Sequence, residues 1–244
     1  MSKEDLKLSL PLGLKHVAVI MDGNGRWASQ RGKERVFGHR QGAECVKKIV
    51  KACSDMGLGY LSLFAFSTEN WDRPKDEVNA LMNYFEYFLK NERKNIIERN
   101  MRFKITGQFD RLPEKIKKLA NALMEDTSQN TGMMLNLAVS YGGRQEILDA
   151  VKRIAVDVKK GVLDENNITL DGFGEYLWTK GMPDPDLLIR TSGEMRISNF
   201  MIWQMAYTEI YVTQVLWPDF SVSELEKALD SFSKRERRFG KVGD

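Results

Sequence analysis

An acid, two glycines and a base follow directly on an apolar run near the start of the sequence. Residues 17–21 are apolar, and residues 22–27 then read DGNGRW. Glycine lets a backbone come close to a ligand, and a helix that begins near Arg26 would present its positive end to a phosphate. Asp22 has the same sign of charge as a phosphate, so it fits such a site if a Mg²⁺ ion lies between them. The segment therefore predicts a site for a phosphorylated ligand and a divalent ion.

Arginines and small polar residues recur in two further segments. Residues 66–74 read FSTENWDRP, and residues 190–200 read RTSGEMRISNF. Guanidinium groups bind phosphate oxygens in pairs, which a lysine cannot imitate. His39, in the stretch FGHRQG, and Arg35 just before it add two more groups that could face a phosphate. These segments extend the predicted phosphate site.

Each of these features also has an ordinary structural explanation. Asp22 or Asn24 could cap a strand-to-helix turn, with Trp27 in the core. His39 could equally well cap a helix, and the loop arginines could be solvated surface charge. Glu209, just before a β-rich run, is either an exposed acid at a strand edge or a metal ligand beside Asp22, and spacing does not decide between them. The functional interpretation is favoured because three such loops occur in one chain.

Strand-like and helical segments alternate along the chain. Apolar, β-rich runs lie at 16–21, 59–66, 101–106, 133–139, 186–190 and 209–216, and helical patterns at about 40–56, 76–99, 113–128, 144–160, 168–179 and 221–238. The alternation predicts an α/β fold, a single doubly wound domain with a mainly parallel sheet of about six strands flanked by helices. Ligands bind such sheets beyond the carboxyl ends of the strands. The segments 22–27, 66–74 and 190–200, which we call the first, second and third polar loops, would fall there. We predict one domain over 1–244, with a flexible N-terminal segment at 1–12.

Composition excludes several classes of protein. A net charge of +3, from 37 basic and 34 acidic residues, argues against a dedicated nucleic-acid binder. The apolar runs are shorter than the roughly 18–20 residues of a membrane span, and residues 1–10 do not resemble a signal peptide. Cys45 and Cys53, the two cysteines, fall on one predicted helix and read as reduced packing residues rather than a bridge. We therefore expect a cytoplasmic protein.

The aromatic and methionine content has two explanations. The chain contains twelve phenylalanines and twelve methionines, many in the segments 78–89 and 133–139. In the first of these, apolar residues recur on one helix face. Most such residues form a core, and the alternative is an apolar tunnel for a long hydrocarbon. The pattern by itself favours the core.

Seven motifs, taken together, resemble a known enzyme family. They are MDGNGRWA, FGHRQGA, LFAFSTENWDRP, LNLAVSYGGRQEI, DLLIRTSGEMRISNFMIWQMAYTEIY, LWPDF and RERRFG, which span residues 14 to 240 in order. The chain resembles the cis-prenyltransferases, most of all the bacterial undecaprenyl diphosphate synthases. The resemblance implies a Mg²⁺-dependent homodimer that adds isopentenyl diphosphate to farnesyl diphosphate with cis double bonds. The implied product is undecaprenyl diphosphate, a lipid-carrier precursor for cell-wall polysaccharide.

The resemblance also implies roles for individual residues. Asp22 would bind Mg²⁺ and assist ionisation of the allylic diphosphate, Glu209 would complete the metal site, and Asn70 would assist proton removal. Arg238, in the C-terminal tail 234–244, would reach the second substrate across the dimer. The implied substrate-binding residues are Gly23, Asn24, Gly25, Arg26, Trp27, Arg35, His39, Ser67, Thr68, Glu69, Trp71, Arg73, Arg190, Arg196, Ser198 and Arg238. Met195 stands where some relatives have histidine or glutamine, so no polar role is expected there.

With this function granted, the apolar tunnel becomes the better explanation of the aromatic and methionine residues. The long lipid product implies peripheral contact with the inner face of the membrane, and nothing implies nucleic acid. A non-catalytic partner subunit of this fold would be expected to lack the acid and arginine set that the chain contains. A phosphatase or nucleotide-binding protein would need a second aspartate at position 24, which is asparagine, or a GxxxxGK[ST] loop. A shorter-chain product and another primer remain open alternatives.

Overall fold

All six predicted strands form one parallel sheet in the computed structural model, which describes residues 10–237. The strands are β1 (His16–Ile20), β2 (Tyr60–Ser67), β3 (Arg102–Thr106), β4 (Met134–Tyr141), β5 (Leu187–Arg190) and β6 (Glu209–Val212). Their order is β3-β4-β2-β1-β5-β6, and every pairing is parallel. All five residues of β1 are buried because helices cover both faces of the sheet. The predicted doubly wound α/β fold is confirmed.

Helices connect the strands, with bounds that differ from the predicted ones at several ends. They are α1 (Asn24–Ser29), α2 (Arg35–Asp55), α3 (Lys75–Asn91), α4 (Arg93–Glu98), α5 (Glu114–Asp126), α6 (Gly143–Lys159), α7 (Leu170–Gly174) and α8 (Val222–Ser233). The helix predicted over 76–99 is broken at Glu92, where the side chain of Asn91 donates to the Tyr87 carbonyl and competes with the helical backbone. The helix predicted over 168–179 stops at Gly174, since two glycines within one turn disfavour it.

The two cysteines lie on α2, as the sequence predicted, and both are free. Cys45 is 4% exposed and Cys53 is 1% exposed. Burial raises the pKa of each thiol to about 12, so both are protonated at neutral pH. Within residues 10–237, no helix combines the length and the apolar character needed to cross a bilayer.

A buried polar chain crosses the middle of the sheet from β1 through β2 to β4. The Nδ1 of His16 donates to the Pro183 carbonyl at 2.7 Å, and its Nε2 accepts from the Ser62 hydroxyl at 2.8 Å. The Asn136 amide donates to the same hydroxyl oxygen at 3.0 Å. His16, Ser62 and Asn136 are fully buried, and burial lowers the pKa of His16 to about 4.

We expect this histidine to make the protein less stable in acid. An unfolded chain protonates His16 as the pH falls through about 6.5, whereas the folded chain resists protonation down to about 4. The contribution of neutral His16 to the free energy of unfolding is therefore fully present above pH 6.5. It is lost progressively below that pH, to a total of about 3 kcal/mol. Urea unfolding near pH 7 and near pH 4.5 should show this loss in the wild type. Glutamine does not titrate, so the free energy of unfolding of His16→Gln should change less between these two pH values. An equal change in both proteins would contradict the lowered pKa of His16 as its cause.

Candidate functional site

A cavity of about 630 Å³ opens where β1, β2 and β4 end. Its polar lining consists of Asp22, Gly23, Asn24, Gly25, Arg35, His39, Ser67, Glu69, Asn70, Arg73, Ser198 and Asn199. Its apolar lining includes Ile20, Met21, Val46, Leu63, Phe64, Phe66, Leu81, Met82, Phe85, Phe88, Leu137 and Val139. Arg35 and His39 come from α2, and the other polar groups come from the segments that follow the strands. The apolar groups come from the sheet, α2 and α3. The cavity thus combines a charged part with a hydrocarbon-like part.

Asp22, just after the end of β1, and Arg190, the last residue of the neighbouring β5, form an ion pair beside this cavity. The Arg190 Nη2 donates to Asp22 Oδ2 at 2.9 Å, and the Gly23 amide donates to Oδ1 at 2.7 Å. Arg190 is only 3% exposed, and its Nη1 donates to the Ser198 hydroxyl at 2.8 Å and to the Arg196 carbonyl. A buried guanidinium is tolerated because these partners compensate its lost hydration. We call Asp22 and Arg190 the Asp22–Arg190 pair.

The helix after the first polar loop begins at Asn24, two residues before the predicted position near Arg26. Gly23 adopts φ 106°, and a Cβ on it would lie 2.9 Å from the Leu216 side chain. Trp27 is buried, stacks on Phe37, and its indole donates to Asp219 at 2.7 Å. The structure therefore places Trp27 in the packing behind the loop rather than among the residues that line the cavity.

Two glycines of the FGHRQG motif allow α1 to lie against α2. A Cβ on Gly38 would be 2.0 Å from the Asn24 carbonyl oxygen, and one on Gly42 would be 2.3 Å from Asn24 Oδ1. Larger residues would push the first polar loop away from the helix that carries His39. The sequence analysis missed this role, which the spacing of two glycines four residues apart could have suggested.

The first and third polar loops meet through their charges. Arg26 donates to the Ser192 carbonyl at 3.1 Å and lies 3.2 Å from Glu194. Arg196 makes an ion pair of 2.6 Å with the same Glu194. Both arginines are about half exposed, so their guanidinium groups can reach a solvent-side ligand. The predicted gathering of polar loops at one edge of the sheet is confirmed for these two.

Glu77 joins the remaining predicted basic residues. Its carboxylate lies 2.9 Å from Arg73 Nη1, 3.4 Å from His39 Nε2 and 3.4 Å from Arg35 Nε. Partial burial opposes its charge, but the Arg73 and Arg35 guanidiniums hold the pKa of Glu77 below its ordinary value. Burial lowers the pKa of His39 despite the opposing charge of Glu77. Sequence reasoning missed Glu77, although Arg73 lies four residues earlier, a spacing at which opposite charges often pair.

The second polar loop forms a short 3-10 helix, Thr68–Asp72. The Asn70 Oδ1 accepts from the Ser67 amide at 3.1 Å, which fixes the side chain beside the cavity. Trp71 instead packs edge-on against Phe66, and its indole donates to the Ser140 hydroxyl at 2.9 Å. Thr68 is buried. Trp71 and Thr68, both predicted to bind substrate, support the loop from outside the cavity lining.

Glu209 does not join Asp22. Glu209 begins β6 and pairs with Leu187, whereas Asp22 follows the carboxyl end of β1, level with Arg190. Roughly 10 Å of strand separates those levels, and Glu209 makes an ion pair of 2.7 Å with Arg235. In one chain Asp22 and Glu209 therefore lie at different levels of the sheet, and the metal site that they are expected to share stays a prediction. Arg238, like the rest of residues 238–244, lies outside the described residues.

Asp22 nevertheless suits a metal ion that arrives with its ligand. Within residues 10–237, no three His, Cys, Asp or Glu side chains converge to hold a metal. Mg²⁺ is often bound by one or two carboxylates together with substrate phosphates rather than by a protein cage. Asp22 lines the cavity, is one-third exposed, and accepts one hydrogen bond on each oxygen, which leaves lone pairs free.

Comparison with known proteins identifies the chain. The family described as "Putative undecaprenyl diphosphate synthase" matches residues 20–240. The chain belongs to this family. An isoprenyl transferase of Fusobacterium nucleatum is 52% identical over 228 residues, 93% of this chain and 96% of the relative. One of Chlorobaculum tepidum is 47% identical over 242 residues, 99% of this chain and 91% of the relative.

Solved structures of relatives share the fold of this family member. Lavandulyl diphosphate synthase from Lavandula x intermedia, in complex with dimethylallyl diphosphate, superimposes with a TM-score of 0.91 at 38% identity, covering 93% of this chain and 98% of the relative. A probable undecaprenyl diphosphate synthase from Campylobacter jejuni gives a TM-score of 0.77 at 34% identity, covering 93% and 99%. The chain is a cis-prenyltransferase, as the seven motifs predicted.

Proposed function

We propose that the enzyme condenses isopentenyl diphosphate repeatedly onto an allylic diphosphate, with farnesyl diphosphate as primer and undecaprenyl diphosphate as product. The observation that supports this most is the cavity itself. Its charged part contains Asp22, which is paired with Arg190 beside the cavity, and the rest of its lining is aromatic and aliphatic. The charged part of the cavity suits a diphosphate, and the apolar part suits a growing prenyl chain. Each buried methylene of that chain is stabilised by roughly 0.8 kcal/mol.

The allylic diphosphate would lie at the first polar loop and the residues around Glu77. The Gly25 backbone, Arg26, Arg35 and His39 would bind its oxygens, which compete with the Glu77 carboxylate for the same cations. Asp22 would hold a Mg²⁺ ion against this diphosphate. The bound ion would neutralise charge on the leaving group and so assist cleavage of the carbon–oxygen bond.

Isopentenyl diphosphate would lie at the third polar loop. Arg190, Arg196 and Ser198 would bind its diphosphate, and the buried Nε of Arg190 has no hydrogen-bond acceptor among residues 10–237. The isopentenyl double bond would then face the allylic carbon, and Asn70 lies on the cavity side of the second loop, where it can orient the step that removes the proton. Glu69, Ser67 and Arg73 would complete the polar lining.

We further propose a homodimer in the cytoplasm that contacts the inner face of the membrane through its lipid product, which serves as a cell-wall carrier precursor. Because Glu209 is remote from Asp22 of its own chain, a Mg²⁺ site that includes both residues would have to form between the two chains of the homodimer. A shorter product is the second candidate, because a solved relative with a TM-score of 0.91 is a lavandulyl diphosphate synthase bound to dimethylallyl diphosphate.

The decisive experiment sizes the lipid product. Purified protein is mixed with farnesyl diphosphate, labelled isopentenyl diphosphate and Mg²⁺, and parallel samples contain EDTA or dimethylallyl diphosphate as primer. A ladder that ends near eleven isoprene units, and is absent with EDTA, is expected. A ladder that stops after one or two additions would favour the short-chain alternative. No elongation by folded protein would reject the proposal.

Side chains in the apolar part of the cavity should set the length of the product. Val139 on β4 and Phe88 on α3 both line it. Val139→Phe fills part of the cavity, so we expect a product shorter by one or more isoprene units. Phe88→Ala enlarges the cavity, so we expect a longer ladder.

Chromatography of the dephosphorylated products measures both effects. Ile116→Val on α5 is the matched control, since Ile116 is buried but lies outside this cavity. Its ladder should equal that of the wild type. Unchanged ladders in both cavity variants would show that the chain grows elsewhere.

A further inference from the structure

A strained segment links the two diphosphate sites of the proposed function. Ser198, Asn199 and Met201 have φ values of 49°, 62° and 44°. Non-glycine residues rarely adopt this left-handed conformation, which persists where surrounding contacts enforce it. Asn199 makes several contacts that hold this segment in place, and the proposed function gives this residue no role.

Asn199 binds two other parts of the chain at once. Its Oδ1 accepts from the Arg144 amide at 2.9 Å, and its carbonyl accepts from the Gly143 amide at 2.7 Å, so it caps the start of α6. Its Nδ2 donates to Glu69 Oε1 at 2.8 Å and to Gln145 Oε1 at 3.2 Å. The side chain therefore joins the second polar loop to the third across the end of β4.

The YGGRQEI motif makes this junction possible. A Cβ on Gly142 would lie 2.2 Å from Gln145 Oε1, 2.6 Å from Thr68 Oγ1 and 2.8 Å from Asn199 Nδ2. A Cβ on Gly143 would lie 3.2 Å from the Asn199 carbonyl oxygen. Any larger residue at position 142 would separate the three segments. The two glycines thus have a specific use that neither substrate site explains.

We propose that Asn199 is a positioning residue that couples the two diphosphate sites, so that binding of one substrate favours binding of the other. The inference rests on the proposed function. Glu69, the acceptor, directly precedes Asn70, and Ser198, the partner of Arg190, directly precedes Asn199. Movement of either loop on ligand binding is transmitted through one hydrogen bond.

The Glu69–Asn199 bond is one between an amide donor and a carboxylate. Partial burial opposes the charge of Glu69, but the hydrogen bonds from Asn199 and from its own backbone amide lower the pKa of that carboxyl. Charge-assisted hydrogen bonds are stronger than neutral ones. Since coupling free energies between two sites correspond to factors of roughly 5 to 150 in affinity, one such bond suffices for a measurable effect.

The test measures the dissociation constant of isopentenyl diphosphate with and without a thiolo analogue of farnesyl diphosphate. The analogue keeps the charged diphosphate, but this group does not leave, so no condensation follows. In the wild type, the analogue should tighten binding several-fold. Asn199→Asp keeps the cap on α6 and tolerates the left-handed backbone, but it loses the donor and repels Glu69. This variant should lose most of the tightening, by about fivefold or more, measured as the ratio of the constants obtained with and without the analogue.

A double variant separates positioning from general damage to the fold. Asn199→Asp with Glu69→Gln reverses the direction of the hydrogen bond and should restore the tightening. If Asn199→Asp does not fold, Glu69→Ala removes the acceptor and leaves the cap on α6 intact, and it should show the same loss.

The outcomes distinguish this inference from the proposed function. Wild-type turnover is measured first, and its absence would reject the proposed function itself. Turnover without any tightening in the wild type would reject the coupling alone. Tightening that survives Asn199→Asp, or a loss that the double variant does not restore, would also reject it.

Discussion

Asp22→Ala is expected to lower kcat/KM by about a thousandfold, the largest effect of any single substitution in this protein. Loss of a group that stabilises charge at the reacting centre typically costs 10²–10³ in rate, roughly 3–4 kcal/mol. Among residues 10–237, Asp22 and Glu69 are the two acids that line the cavity, and Glu69 is bound to Asn199. On the proposed function, Asp22 is the carboxylate that would hold a metal ion beside the leaving group.

The alanine variant also removes the carboxylate partner of a buried arginine. Breaking a buried ion pair destabilises a protein by about 3–5 kcal/mol, so a folding defect has to be separated from a catalytic one. Asp22→Asn removes the charge but keeps one acceptor oxygen, which can serve either Arg190 or the Gly23 amide. We expect it to lose nearly as much activity with a smaller loss of stability.

The control for both variants is Asp230→Ala, which removes an exposed carboxylate paired with Lys234 on α8. Surface pairs of this kind contribute little, so activity and thermal stability should stay near those of the wild type. Steady-state kinetics at saturating Mg²⁺, with circular dichroism of each protein, provide the measurement. Activity of Asp22→Asn within tenfold of the wild type would remove Asp22 from the metal site.

Arg190→Lys should raise the KM for isopentenyl diphosphate by about a hundredfold with a smaller effect on the KM for the primer. One guanidinium binds Asp22, the Ser198 hydroxyl and the Arg196 carbonyl simultaneously. A lysine ammonium keeps the charge but cannot reproduce this planar, forked geometry. The lost hydrogen bonds to a charged ligand, each about 1.5–3 kcal/mol, account for the expected change.

Arg196→Lys is the matched control for this prediction. Arg196 is 59% exposed and forms an ion pair with Glu194, so a lysine can occupy much the same place. We expect its KM for isopentenyl diphosphate to rise by less than about tenfold, because exposed pairs depend weakly on geometry. Equal effects in the two variants would show that burial of Arg190 has no part in binding.

The sequence predicted the sheet because its strands are buried on both faces and therefore read as continuous apolar runs, as in β1. It predicted the loop edge for a related reason, since the carboxyl ends of parallel strands all lie at one edge. The same rule bears on Glu209, for which a metal site shared with Asp22 stays a prediction. An acid placed before a strand lies at the amino edge, and the register with Leu187 confirms that position.

Contacts distant in sequence escaped the prediction. Glu77 lies 38 residues from His39, and Asn199 lies 130 residues from Glu69. Neither pairing has a periodic or compositional signal, because each is created by the packing of loops that the sheet brings together. The break at Glu92 was missed for a local reason: charged residues around it are good helix formers, and the competing side chain of Asn91 shows no pattern.

The two inert thiols on α2 make this protein a convenient host for site-specific probes. Cys45 and Cys53 are the sole cysteines of the sequence, and their burial keeps them in the unreactive thiol form. A maleimide reagent added to folded wild-type protein should therefore attach slowly or not at all. A single cysteine introduced at Met195, which is 88% exposed beside Arg196, would be labelled selectively and would report the movement of the third polar loop as each substrate binds.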